Sequence, residues 1–163
     1  MLQKLVAFGI LVATATAALA PCYAADKDAA APRESNAENR NNVKIQVKAG
    51  NKTFTATLED NATARAFQTK LPATVQMTEL NGNEKYFRFP ADLPTNASNP
   101  RTIRAGDLMV YGGNTLVLFY KTFPTSYSYT RLGRIDDPAG LATALGAGDV
   151  KVTYELQPVT DGN

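Results

Sequence analysis

One aromatic segment in the C-terminal half of the chain contains the residue types from which ligand sites are built. Positions 119–129 combine large aromatic side chains with hydroxyl groups, and two arginines follow. Aromatic walls with a few polar groups are typical of ligand grooves, and an arginine offers a forked donor to a carboxylate. The alternative is a core strand whose tyrosine hydroxyls reach the surface. The predicted ligand-binding residues are Phe119, Tyr120, Phe123, Tyr127 and Tyr129 as the wall, with Arg131 or Arg134 as the anchor.

Composition excludes most catalytic sites that a chain of this size could carry. The sequence has no histidine and only one cysteine, Cys22. Ser-His-Asp and Cys-His sites, and zinc sites built on histidine or cysteine, are therefore excluded. No glycine spacing matches a phosphate-binding loop. We predict no cofactor and no metal, and these patterns assign no catalytic residue.

Acidic side chains are the remaining candidates for acid–base chemistry or cation binding. Asp136 and Asp137 are adjacent, but Asp137 precedes Pro138 and is expected to cap a helix. Glu79 follows Val75 and Met77 at strand spacing. The alternatives are an inward position near a barrel mouth and a solvated strand end, and we expect the second because carboxylates are seldom buried without a partner. Neither the Asp136-Asp137 pair nor Glu79 is therefore predicted to be a catalytic or cation-binding site.

The N-terminus is predicted to be a cleaved signal peptide over residues 1–24. Lys4 precedes an uncharged stretch, and small residues lead up to a cleavage site before Ala25. The apolar stretch of about 16 residues is shorter than the roughly 20 that a membrane-spanning helix needs. The mature protein is then periplasmic or secreted. The minority alternative is a lipoprotein anchored through Cys22, although Pro21 suits the processing enzyme poorly.

Charge and composition along the chain limit the classes of partner and indicate where the folded domain begins and ends. Seventeen Lys and Arg face fifteen Asp and Glu, scattered singly, so the basic stripe of a nucleic-acid-binding protein is absent. Residues 25–42 lack large apolar side chains and are predicted to be a disordered leader. Residues 43–157 suit a single monomeric domain, and 158–163 a flexible tail.

Alternation with a period of two predicts the elements that must position these side chains. Turn residues at 49–52 and at Gly112-Gly113 separate alternating or apolar stretches, which indicates hairpins. Many short strands with few helices favour a closed barrel, because closure removes exposed sheet edges. The fold class is mainly β. The expected elements are about eight short strands, a helix over 62–71 and a second short helix between Asp137 and Gly146.

The block from Gly106 onward closely resembles the small bacterial cyclophilin-like domains. The likeness is densest at positions 106–108, 111–114, 118–120 and 127–137, with Leu141. It implies a closed eight-stranded cyclophilin-like β-barrel with two short capping helices, in agreement with the strand count. It does not carry an activity across, because this family is largely uncharacterised. The leading hypothesis is an exported binding module for a small molecule or an extended peptide.

The resemblance also implies an alternative, a weak peptidyl-prolyl cis-trans isomerase that assists protein folding. Arg88 lies among aromatic residues and would be the electrophilic group in that case. The apolar groove would then come from Phe87, Phe89, Met109 and Phe119. The absence of histidine, of tryptophan and of a Phe-His-Arg strand speaks against this alternative.

Overall fold

The computed structural model describes residues 43–158, in which eight antiparallel strands close into a barrel. The barrel order is β1-β10-β3-β4-β7-β6-β9-β2, and β5 pairs with β8 in a separate two-stranded sheet. The predicted mainly β fold, with an eight-stranded barrel and two short helices, is confirmed. The elements are β1 (Lys44–Ala49), β2 (Lys52–Leu58), α1 (Ala62–Gln68), β3 (Ala73–Leu80), β4 (Glu84–Arg88), β5 (Thr102–Ile103), β6 (Asp107–Tyr111), β7 (Thr115–Phe119), β8 (Phe123–Pro124), β9 (Thr130–Ile135), α2 (Leu141–Leu145) and β10 (Val150–Leu156).

The barrel interior is built by the alternation that the sequence shows. In β1, Ile45, Val47 and Ala49 are fully buried while their neighbours face outward. Successive side chains of a strand point to opposite faces, so each strand contributes every second residue to the core. The main core joins these residues to apolar side chains of the other barrel strands and of both helices.

A second apolar layer covers the outside of the barrel on one side. Ile103, Met109, Val117, Phe119 and Tyr129 form a buried cluster separate from the main core. The β5–β8 sheet and the chain that follows β7 lie over the outer faces of β6 and β7 there. Beside this layer, the outer face of β4 remains partly open.

Both helices differ in their bounds from the sequence-based expectation. Helix α1 begins after Asn61, whose side chain accepts a hydrogen bond from the Ala64 N–H at 2.8 Å. It ends at Gln68 instead of at residue 71, because tighter turns with bonds to the third preceding carbonyl follow it.

The expected start of the second helix at Asp137 is wrong. Helix α2 begins at Leu141 after Gly140, which has a left-handed φ of 80°. The Asp137 carboxylate instead accepts a hydrogen bond from the Ala139 N–H at 2.9 Å, which makes a local turn. Gly146 caps the C-terminus as expected, and its N–H donates to the Ala142 carbonyl.

The predicted signal peptide, the leader and almost all of the tail lie outside the described residues. Those assignments remain predictions. Within residues 43–158, no helix has the length and apolar character needed to cross a membrane.

Candidate functional site

A groove of about 550 Å³ lies on the outside of the barrel, over β4 and β7. Its floor comes from the outer faces of these strands, and its sides come from the β3–β4 turn, the end of β6 and the segment 123–129. The side chains that define it are Tyr86, Arg88, Tyr111, Phe123, Tyr127 and Tyr129. We call this surface the groove.

Strand β4 presents one acidic, one aromatic and one basic side chain to the groove. Glu84, Tyr86 and Arg88 occupy alternate positions of the strand, so they share its outer face. They lie opposite Phe119, Val117 and Thr115 of β7, in that order. The result is a row of three groove residues with opposite charges at its two ends.

Arg88 is the basic group of the groove. It is exposed, and its guanidinium carbon lies 6.0 Å from the ring centroid of Tyr86. Among the described residues it has no carboxylate partner within ion-pair distance. A guanidinium held near an aromatic ring and without a carboxylate can bind an anionic or carbonyl group.

Tyrosine side chains form the wall opposite Arg88. The ring of Tyr111 lies 6.2 Å from that of Tyr127 and 5.5 Å from that of Tyr129, measured between centroids. Tyr111 is 47% exposed and Tyr127 62% exposed, which is unusual for large aromatic residues packed against each other. Such a wall offers flat apolar area together with hydroxyl groups.

Glu84 lies at the other end of the row and is largely buried, with 9% of its surface exposed. Burial, and then the Glu79 carboxylate, raise the pKa of Glu84, and no hydrogen bond or cation among the described residues counteracts this rise. Next to it, the Asn83 Oδ1 atom is buried, and none of the described residues gives it a hydrogen-bond partner. This end of the groove is therefore rich in acceptors.

We expect Glu84→Gln to stabilise the protein relative to wild type at neutral pH but not in acid. The folded pKa of Glu84 lies above its ordinary value of 4.5. Well below 4.5 the carboxyl is protonated in both the folded and the unfolded state, so the charge no longer contributes to the difference between the two proteins. As the pH rises through the raised pKa, ionisation costs the folded wild type stability that the amide keeps.

Urea unfolding of both proteins from about pH 4 to about pH 8 measures this difference. A difference in the free energy of unfolding that does not change with pH would contradict the expectation. Glu79, Tyr120 and Tyr129 are titratable groups near Glu84. Both proteins keep these three residues, so the comparison of their unfolding curves isolates the change at position 84.

The structure places the five predicted wall residues in three different environments. Phe123, Tyr127 and Tyr129 line the groove. Phe119 lies beneath them, fully buried, with its ring centroid 5.5 Å from that of Tyr129. Tyr120 leaves the site altogether, because its hydroxyl donates to Glu79 at 2.9 Å. Burial and this contact raise the pKa of Tyr120 to about 12.

The predicted anchors Arg131 and Arg134 do not line the groove. Both are exposed on β9, and the Arg134 Nε atom lies 3.7 Å from the Asp107 Oδ1 atom. The arginine that faces the tyrosines is Arg88, from β4. A long-range strand pairing, and not sequence proximity, supplies the charge of the site.

The apolar groove expected around Arg88 is also different from the prediction. Phe87 packs against the main core inside the barrel, and Phe89 belongs to that core. Met109 and Phe119 are buried in the outer layer, below the groove surface. Phe87 points inward because neighbours in a strand alternate between faces, so Arg88 meets tyrosines instead.

Glu84, Tyr86 and Tyr111 are groove residues that were not predicted from the sequence. The sequence did contain a signal for Glu84 and Tyr86. They lie four and two residues before Arg88, so in a strand they share its face. Tyr111 precedes the Gly112-Gly113 turn, and only the pairing of β6 with β7 brings it beside the groove.

The expectation that Glu79 is a solvated strand end is wrong. Glu79 forms, with Lys85 and Tyr120, what we call the Lys85 cluster. The Lys85 side chain is completely buried, and its Nζ donates to Glu79 and to the carbonyls of Gly146 at 2.8 Å and Gly148 at 2.7 Å. Burial acts to raise the pKa of Glu79, but the bonds from Lys85, Tyr120 and the Gly82 N–H, with the charge of Lys85, lower it overall.

Comparisons with known proteins agree with this architecture. The model of the cyclophilin-like family matches residues 47–155. The chain is also similar to the solution structure of a hypothetical protein from Archaeoglobus fulgidus, with 19% identity and a TM-score of 0.51, over 71% of this chain and 95% of that one. At this identity the likeness concerns the fold alone. No curated protein matches the chain. Because this match covers more than half of the chain and includes residues of every barrel strand, the chain belongs to the cyclophilin-like family.

Proposed function

We propose that this domain is a binding module whose groove holds an extended peptide or a small molecule. The observation that carries the proposal is Arg88, which stands in the groove beside Tyr86 without a carboxylate partner among the described residues. What distinguishes Arg88 from other exposed arginines such as Arg131 is its position, because it lines the groove together with Tyr86, Tyr111 and Tyr127.

The wall gives the second part of the argument. Tyr111 and Tyr127 pack edge to face with an interplanar angle of 89°, yet both keep large exposed areas. A ligand that covers them buries apolar surface worth about 25 cal/mol per Å². Arg88 then fixes the orientation of the ligand through an anionic or carbonyl group.

A pair of arginine variants tests the location of the site. We expect benzoate, titrated by NMR into the whole protein, to shift resonances of groove residues. Arg88→Gln should weaken benzoate binding about tenfold, equivalent to about 1.4 kcal/mol. Benzyl alcohol, which lacks the charge, should not respond to this change.

Arg131→Gln is the matched control, since it removes an exposed arginine that lies outside the groove. If Arg131→Gln weakens benzoate binding and Arg88→Gln does not, the site is on β9 and the proposal is wrong. Benzoate shifts that avoid the groove residues would reject it as well.

Slow prolyl isomerisation is a second candidate function, supported by one observation. Arg88 projects from a barrel strand into a groove with an aromatic wall, where it can donate to the carbonyl of a twisted prolyl bond. The uncatalysed step takes tens of seconds, so a protease-coupled proline assay detects even a weak catalyst. Rates equal to buffer reject this candidate, and a rate that Arg88→Gln abolishes while Arg131→Gln preserves would place it first.

We also propose that the protein is exported through a cleaved signal peptide over residues 1–24. Support comes from Lys4, the uncharged stretch that follows and the small residues before Ala25. Mass spectrometry of the native protein should find an N-terminus at Ala25. A lipid on Cys22 would instead establish the lipoprotein alternative.

A further inference from the structure

We infer that the groove is a two-ended site for an extended peptide segment, with an ammonium group of the ligand at Glu84 and a carboxylate about four residues away at Arg88. This inference rests on the proposed function of the groove and adds the chemical class of its ligand. It is carried by the acceptors at one end, the donor at the other end and the distance between them.

At the Glu84 end of the groove, two side-chain acceptors have no donor partner among the described residues. Glu84 is nine-tenths buried and lines the groove, and no cation or hydrogen-bond donor among the described residues meets its carboxylate. The buried Asn83 Oδ1 atom, in another groove-lining side chain, is also without a donor in this part of the chain. Among the described residues, the Asn83 oxygen is the one side-chain atom that is shut off from solvent without a partner, and native proteins satisfy nearly all such atoms. The Glu84 carboxylate, in contrast, keeps contact with the solvent of the groove.

An ammonium group of a ligand is the species that complements the Glu84 carboxylate. It carries three donors and one positive charge, so it can pair with this carboxylate and neutralise it. The faces of aromatic rings such as Tyr86 and Tyr129 favour a cation nearby. A fully anionic ligand, such as a phosphate ester, would bring negative charge against Glu84 and is disfavoured.

The spacing of the two ends sets the length of the ligand. Glu84 and Arg88 are four residues apart on one face of a strand, so their Cα atoms are about 13 Å apart at about 3.3 Å per residue. An extended peptide advances by about the same amount per residue, so about four residues bridge the two ends. Tyr86, midway between them, lies under the centre of such a segment.

Tetra-alanine with free termini is the probe that separates the two ends. It is titrated into the whole protein alongside its N-acetylated form and its C-terminal amide. In wild type we expect each blocked peptide to bind about tenfold more weakly than the free one, as expected for the loss of one charged contact of about 1.4 kcal/mol. The acetylation comparison needs no variant, so it stands even if a substitution impairs folding.

Two variants assign the ends. In Glu84→Gln, N-acetylation should have no further effect while C-terminal amidation still weakens binding. In Arg88→Gln the pattern should be reversed. Di-alanine is too short to contact both ends at once and can use whichever end is intact, so neither variant should weaken its binding as much as that of tetra-alanine.

The possible failures are distinguishable. If tetra-alanine binds through Arg88 but N-acetylation changes nothing, the two-ended site is wrong and the binding module stands. If tetra-alanine does not bind while benzoate binds through Arg88, the peptide class is wrong and the groove remains a ligand site. If neither probe perturbs the groove residues, both proposals fall.

Discussion

Replacing Lys85 by methionine should lower the free energy of unfolding by about 3–5 kcal/mol, the usual cost of removing one partner of a buried ion pair. Lys85 is completely buried, and its three donors meet Glu79 and the carbonyls of Gly146 and Gly148. Methionine fills a similar volume but donates no hydrogen bond. The two carbonyls would then lose this donor, and the Glu79 carboxylate would keep only its bonds from Tyr120 and from the Gly82 N–H.

Urea unfolding at neutral pH measures this loss, and Lys151→Met is the matched control. Lys151 is exposed on β10, so the same change there should alter the free energy of unfolding by less than about 0.5 kcal/mol. Adding Glu79→Gln to Lys85→Met should restore part of the loss, because the uncompensated carboxylate is removed. A loss below about 1 kcal/mol for Lys85→Met alone would show that the cluster contributes little.

Gly133→Ala should cost about 3 kcal/mol, because it overpacks the contact between β2 and β9 that helps to close the barrel. A Cβ atom at this position would lie 2.5 Å from the Thr57 carbonyl oxygen and 3.0 Å from the Leu58 Cα atom. Both neighbours are backbone atoms of a paired strand, so neither can move without disturbing the pairing of Leu58 with Gly133. Strain of this kind is not relieved by a change of rotamer.

Gly148→Ala provides the comparison, since a Cβ atom there meets no atom within 4 Å. It should leave the midpoint of thermal unfolding almost unchanged, whereas Gly133→Ala lowers it by many degrees. Equal effects of the two substitutions would mean that the close approach at Gly133 is relieved at little cost.

The barrel itself was predictable because strands such as β1 and β2 show a period-two alternation that identifies the buried face. Ile45, Val47 and Ala49 alternate with polar residues, and β2 repeats the pattern after a turn. The second helix shows where local signals mislead. Asp137 before Pro138 is a good capping pattern, but the carboxylate bonds the Ala139 N–H and the chain turns first. Two local structures compete for the same side chain, and the sequence pattern does not rank them.

The site was predictable only in part, because its charge comes from a strand far from the aromatic segment in sequence. Arg131 and Arg134 follow the tyrosines closely, but the pairing of β6 with β9 is irregular between Leu108 and Met109. An irregularity of one residue changes which side chains share a face of the sheet. No local sequence pattern predicts such an irregularity.

A buried lysine is the hardest feature of this chain to predict. Lys85 occupies an inward position of β4, where an apolar residue is expected. Two of the acceptors that make it tolerable, the carbonyls of Gly146 and Gly148, come from more than sixty residues later in the chain. These hydrogen bonds exist only in the folded protein, so no local sequence pattern predicts them.

The alternation within β4 links the interior of the barrel to its outer site. A shift of this strand by one residue against β7 would turn every side chain to the opposite face. Lys85 would then leave its acceptors for the surface, while Glu84 and Arg88 would enter the apolar core without partners. The buried ammonium group of Lys85 therefore stabilises one register of β4 against β7 and disfavours the shifted one. The favoured register is also the one that presents both charges of the groove outward.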